Sequence, residues 1–575
     1  MDNQRNLILA VSISIVILLV FDYFYKDPKY NNVQVKVENI DSYSDSQEPR
    51  IENIEPTIQK EIKTKLGNNY VEDRIIFDMS SVKGSINLYG AIVDDLTLKK
   101  YFESIKADSN QVKILNKENS KKPYFVGNGW ASNSKIKLPN KKSLWKADKK
   151  SYQSGDVINL EWDNKEGFVF KRKIEIDEKY LFTITDEVFN YSKEKVDLAN
   201  FSYIQRRNHK PQNKFFILHE GPIGVFEENA QAGYKPKEIS YDDLQEEGTI
   251  PINSQGGWIG LTDHYWQVAI FPEKKTDFEA RFKYLKKPNN SVQLDYINNE
   301  VSSLKPNSSL IAKSYIFAGA KEVPLFDKYM NQLNVEKFDL SVDFGMFYFL
   351  TKPLFYALNY LALFFNNFGI GIIILTIFIR IIMFPLANKS FKSMNAMKLM
   401  TPEIKRLKER YKDDRTKMNQ EMFALYKEKK INPAAGCLPI LIQIPIFFAL
   451  YKVLFVSIEM RHAPFFGWIK DLSAPDPTSI FNLFGLIPWS PPSFLIIGIW
   501  PIIMGLTMYL QQKLNPPPPD PIQAKIFLML PFVFTFLLAT FPSGMVIYWT
   551  CNNILSIAQQ AYLLKKQKNE KTKSL

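Results

Sequence analysis

Cysteine and histidine are scarce in this 575-residue chain, and their scarcity removes most metal, redox and nucleophile chemistry at once. The 2 cysteines, Cys437 and Cys551, both fall in apolar runs, so a four-cysteine metal centre and a disulfide framework are excluded by count. The 4 histidines, His209, His219, His264 and His462, form no H-E-x-x-H motif, and neither G-x-x-x-x-G-K-[ST] nor G-x-S-x-G occurs. No catalytic residues, metal ligands or cofactor are expected. Without a nucleotide site, work on a substrate has to be driven by binding and by partitioning between phases. Three of the histidines lie in a β-rich region, where a sugar-type site and ordinary structural histidines both remain open.

Charge is also missing from long stretches after about Gly345, whereas 27–343 reads like soluble protein. The 46% hydrophobic and 23% charged residues therefore average two environments. The net charge of +13 is concentrated in Lys389–Lys430 and in the tail Lys565–Lys573, both beside apolar spans. Positive charge beside spans marks the cytoplasmic side, and this reading is preferred to specific nucleic-acid recognition. The tail retains a secondary role as a contact for ribosomal RNA.

Leu7–Tyr25 is the first candidate span: about 19 residues at ~1.5 Å each give ~28 Å, against a ~30 Å hydrocarbon core. No small-x-small site precedes Lys26, so 1–26 reads as an uncleaved anchor, a cleaved signal peptide being the other reading. Residues 27–60 are too polar to fold and form a periplasmic tether. From 61 to 335, period-two runs such as Phe168–Ile176 and Tyr180–Thr185, punctuated by Gly, Asn, Asp and Pro, predict a large antiparallel β-sandwich. Residues 344–366, interrupted at Lys352-Pro353, read as an amphipathic helix in the membrane interface.

Residues 367–564 then hold five further spans: Phe368–Leu386, Ala434–Val456, Phe494–Leu510, Ile526–Phe541 and Ser543–Leu564. Pro501 and Pro531 sit in the third and fourth of these, where neighbouring helices must satisfy the freed backbone. Between the first two, residues 387–432 carry 13 Lys or Arg and two helical segments divided by Asp413-Asp414, a cytoplasmic hairpin. The fold class is thus a polytopic α-helical membrane protein of six transmembrane helices, with a periplasmic all-β sandwich. Both termini are expected in the cytoplasm, residues 565–575 forming a basic tail.

Arg380 is the most informative residue, alone in the run from Gly369 to Leu386. Burying a guanidinium near a span's centre costs at least ~2.5 kcal/mol. Two readings fit: an arginine that snorkels ~10 Å to the cytoplasmic interface, or one that faces a wet polar cavity, the reading preferred here. Thr376 lies one turn above, Gln443 lies in the middle of the span Ala434–Val456, and Tyr548, Asn552, Ser556 and Gln559 share one face of the last. Interhelical hydrogen bonding alone also accounts for such a stripe. In the hairpin region, Met394, Met397, Met400, Met418 and Met422 offer flexible thioethers to varied apolar clients, or simply pack its two arms together.

Several motifs then resemble one bacterial family, the YidC insertases: Met1-Asp2-Asn3-Gln4-Arg5-Asn6-Leu7, the Arg380 span ending in Phe384-Pro385-Leu386, the run Asn432-Pro433-Ala434 to Gln443-Ile444-Pro445-Ile446-Phe447, and Phe541-Pro542-Ser543-Gly544. The resemblance covers about Gly345–Leu564 and extends to the anchor and the periplasmic domain. It implies a five-helix core enclosing a hydrophilic groove lined by Arg380, Thr376, Gln443, Phe447, Tyr548, Trp549 and Asn552. It implies insertion and chaperoning of nascent inner-membrane proteins, alone or with the Sec translocon, a ribosome contact through hairpin and tail, and a mutarotase-like sandwich without its activity. Two departures stand out: Trp549, where relatives often carry tyrosine, and a long Pro-rich loop through Pro475–Pro492. A transporter for an anionic solute is the rival reading, though no repeated halves are visible. An anchored sugar-modifying enzyme leaves the five extra spans unexplained.

Overall fold

The computed structural model describes residues 73–573 apart from 210–217, 230–232, 274, 287–289, 412–413, 430–437, 490, 493–495 and 515–520. The expected anchor 1–26 and tether 27–60, and the motif Asn432–Cys437, lie outside the described residues.

From Arg74 to Ala320 the described chain is almost wholly strand, arranged as an 11-stranded and a 9-stranded sheet. Alternation explains the layering. In Phe168–Ile176 the residues Phe168, Phe170, Arg172 and Ile174 turn inward, and in Leu181–Asn190 it is Phe182, Ile184, Asp186, Val188 and Asn190. The two strands pair antiparallel with Arg172 opposite Asp186, so the one charged pair on the buried face meets itself across the ladder. Arg172 Nε donates to Asp186 Oδ1 at 2.6 Å and Nη2 donates to Oδ2 at 2.9 Å, each side chain being 2% exposed. One parallel pairing, Arg74–Asp78 with Ser151–Gln153, closes an edge of the larger sheet.

Among the described residues there are also ten α-helices. Helix α1 (Tyr241–Glu247) is capped by Ser240 and stops at Gly248, whose φ of 79° favours glycine. Helix α2 (Val323–Leu333) packs Phe326 against Phe317 and Phe338. Helix α3 (Tyr348–Phe365) buries Thr351, Phe355, Leu358 and Ala362, at spacings of four, three and four, while Phe349, Tyr360, Leu363 and Phe364 face outward. After a left-handed turn at Asn366, helix α4 (Phe368–Leu399) runs back with Gly371 against Ala362. The remaining helices are α5 (Thr401–Arg410), α6 (Arg415–Glu428), α7 (Leu438–Val456), α8 (Ile499–Leu514), α9 (Pro521–Leu538) and α10 (Ser543–Lys573). Helix α10 continues through most of the basic tail as one element. Helix α3 packs on α4 and α7, and α10 packs on α4 and α8.

Among the described residues, Phe368–Ser393 alone is long and apolar enough to cross a bilayer, with shorter apolar stretches at Ile442–Val456 and Ala524–Leu538. The sandwich sits at the C-terminal end of α7. His264 Nε2–H donates to the Phe455 carbonyl at 2.8 Å, which requires the Nε2 tautomer, and Lys452 Nζ meets Asp343 at 2.7 Å. Lys352 in α3 reaches Asp327 at 2.8 Å and Asp339 at 2.5 Å, both carboxylates belonging to the sandwich side of the junction. These paired charges hold the helical core and the sandwich in fixed register.

Candidate functional site

Helices α4, α7 and α10 bring the sequence-selected polar residues together. Arg380 in α4 is half-buried; its Nε donates to Asn552 Oδ1 at 2.8 Å and its Nη2 donates to the Asn552 carbonyl at 3.3 Å. That carbonyl also accepts from Ser556 Oγ at 2.7 Å. Among the described residues no carboxylate lies within ion-pair distance of Arg380. A half-buried guanidinium held only by neutral dipoles keeps its charge available to an incoming anion.

One turn along α10, Tyr548 is 3% exposed and its hydroxyl accepts from Gln443 Nε2 of α7 at 3.4 Å. Trp549 packs edge-on against Phe447 at 4.8 Å between ring centroids, and against Phe534 of α9 at 5.7 Å. A polar ladder of Arg380, Asn552, Tyr548 and Gln443 therefore runs beside an apolar aromatic wall. Further along the same face, the Gln559 side-chain nitrogen is enclosed without a hydrogen-bond partner.

Thr376 stands apart from this ladder. It is 2% exposed and its hydroxyl donates to the Ile372 carbonyl of its own helix at 2.6 Å, so the group is spent locally. The methionines divide as well. Met394 lies in α4, Met397, Met418 and Met422 are half-buried, and Met400 is enclosed at the α4–α5 junction. Met418 and Met422 are four residues apart on α6 and share a face.

Sequence reasoning passed over Asn553 and Thr507, which are buried and bonded to each other at 3.3 Å, tying α10 to α8. A second asparagine beside Asn552 in an apolar helix was the available signal. It also passed over Lys452 and Asp343, joined at the rim of the core. Among the described residues no three His, Cys, Asp or Glu side chains gather into a metal-binding group. Chemically the arrangement can hold an anionic or polar segment by charge and hydrogen bonding, but it holds no nucleophile poised against a base.

A family model described as 60Kd inner membrane protein matches residues 360–571, and one described as YidC periplasmic domain matches residues 74–357. A membrane protein insertase YidC of Rickettsia felis is 44% identical over 569 residues, covering 98% of this chain and 99% of the relative. The protein of the same name from Rickettsia bellii is 43% identical over 572 residues, with coverages of 99% and 100%. Among solved structures, an active YidC insertase with its first transmembrane domain resolved aligns at a TM-score of 0.34 and 17% identity, over 85% of this chain and 92% of that one. A galactose mutarotase related enzyme from Lactobacillus acidophilus aligns at 0.30 and 10% identity, over 43% of this chain and 97% of its own.

Proposed function

The chain belongs to the YidC family of membrane protein insertases, and we propose that Arg380 is the electrostatic centre of the groove through which it passes its clients. The protein inserts nascent membrane proteins into the bacterial inner membrane and is not an enzyme; this displaces the reading as an anionic-solute transporter. Its periplasmic β-sandwich is joined to a helical core.

In the proposed mechanism, the acidic or polar tail of a client enters between α4, α7 and α10. Arg380 attracts its charge, while Gln443, Tyr548 and Asn552 exchange hydrogen bonds with it in place of water. At 4 Å and an effective dielectric of ~20, an ion pair is worth about 4 kcal/mol, enough to offset part of the tail's desolvation. The client's apolar segment then leaves along the Phe447–Trp549 wall into lipid, each Leu, Ile, Phe or Val contributing roughly 0.3–0.6 kcal/mol. The observation that carries this reading is the half-buried Arg380 bonded to Asn552 with, among the described residues, no carboxylate beside it.

The finer topology belongs to the same proposal: six spans with Leu7–Tyr25 as the first, residues 27–60 as the tether, and both termini in the cytoplasm. The hairpin 387–432 receives clients through Met394, Met397, Met418 and Met422, and with the basic tail touches the ribosome; the protein acts alone or with the Sec translocon as a partner. A photoactivatable residue at position 549 should capture a ribosome-stalled client, whereas one at Lys165, on the sandwich surface, should not. Equal capture at both positions, or at neither, would remove the groove from the account.

A further inference from the structure

We propose that the loop between α7 and α8 dips its apolar tip, residues 480–489, into the bilayer leaflet on the sandwich side. This inference goes beyond client insertion and does not depend on the role of Arg380.

Between Asp476 and Lys513 the sequence carries no charged residue. Within that stretch the side chains of Phe481, Leu483, Phe484, Leu486, Ile487 and Trp489 face outward, Leu486 being 83% exposed. In water, a contiguous apolar patch of this kind would be an association liability. Its position supplies a partner.

The base of the loop is fixed to the ends of three helices. Asp476 accepts from the Trp500 backbone N–H at 2.9 Å and from Trp468 Nε1 at 3.1 Å, while Ser543 N–H and Gly544 N–H donate to the Ala474 and Leu472 carbonyls. Phe465 covers Gly369 at the start of α4. The tip therefore leaves from the rim where α4, α8 and α10 begin.

The backbone of the tip is suited to low dielectric. Phe484 N–H donates to Ser479 O at 2.8 Å, Ile487 N–H to Asn482 O at 3.1 Å and Trp489 N–H to Ile487 O at 2.7 Å. The Asn482 side chain donates to the Trp489 carbonyl at 3.4 Å. Donors satisfied inside the loop reduce the penalty for placing irregular backbone at the membrane boundary. Leu483 and Phe484 hold left-handed backbone, with φ of 49° and 59°, a conformation unfavourable for bulky residues, and this turns both side chains outward. Trp489, Phe481 and Phe484, all exposed in the same tip, match the aromatic composition of the headgroup boundary.

The test places an environment-sensitive fluorophore at 486 through Leu486→Cys, in full-length protein with Cys437→Ser and Cys551→Ser, reconstituted in liposomes. A Lys165→Cys label on the sandwich is the aqueous control. At 486 the expected result is blue-shifted emission, quenching by lipids with a nitroxide near the headgroup, and several-fold weaker quenching by iodide than at 165. Adding Phe484→Asp should raise iodide quenching at 486. Iodide quenching equal to the control would place the loop in water, and protection from both quenchers would place it against protein; either result overturns the proposal.

Discussion

Replacing Arg380 by alanine removes a guanidinium that donates to Asn552 Oδ1 at 2.8 Å and to the Asn552 carbonyl at 3.3 Å. The carbonyl keeps its Ser556 donor, so the structural loss is confined to one charged hydrogen-bonding group, worth roughly 1.5–3 kcal/mol at most. The functional loss differs in kind. A client carboxylate near 4 Å gains about 4 kcal/mol at an effective dielectric of ~20 and about 1 kcal/mol in bulk water. A wet, half-buried site lies between these limits, so about 2 kcal/mol, or more than ~10-fold in the populated intermediate, should be lost with acidic tails. The assay compares insertion of paired single-span clients whose tails differ only by Asp against Asn. Arg380→Ala should depress the acidic client more than ~10-fold and its neutral twin less than ~3-fold, while Arg380→Lys should restore most of the difference. Equal losses for both clients would make Arg380 a structural arginine and refute the electrostatic reasoning.

Other residues yield separate expectations. Asp186→Ala leaves Arg172 charged inside the sandwich with its bidentate partner gone, and the protein should lose about 3–5 kcal/mol of stability; a change below ~1 kcal/mol in a denaturant titration would contradict the buried-pair reading. Glu459, in the turn after α7, has an enclosed Oε2 with no hydrogen bond, and burial pushes its carboxyl up to about 7. A raised folded value means the folded state holds the proton more tightly, so that contribution is full below the unfolded value near 4.5 and is lost as pH rises through about 7. Glu459→Gln should therefore raise the melting temperature at pH 8 and change it little at pH 5; the reverse order would show Glu459 to be stabilised as a carboxylate.

Much of the architecture was legible because membrane and sheet impose short-range patterns. Phe168–Ile176 alternates, and it is a strand with one buried face. Arg380 announced itself as the single charge in an apolar run, and the four-residue spacing of Tyr548 and Asn552 placed both on the face of α10 that meets α4 and α7. What spacing could not give was the neighbour across the gap. Thr376 shares a helix with Arg380, yet its hydroxyl turns to its own Ile372 carbonyl. Asn553, one residue from Asn552, points about 100° away around the helix and bonds Thr507 of α8 instead. The sheet order and the parallel pairing of Arg74–Asp78 with Ser151–Gln153 depend on contacts some seventy residues apart, which no local pattern encodes. Likewise, the length of the Pro-rich loop was visible, but the hydrogen bonds that close its tip were not.

The most direct measurement is protease protection of a short-tailed, single-span client added to liposomes containing only this purified protein. The account requires protection well above that of empty liposomes, reduced by Arg380→Ala when the tail is acidic. Protection no greater than in empty liposomes, with the protein shown to be folded, would contradict autonomous insertion through the Arg380 groove.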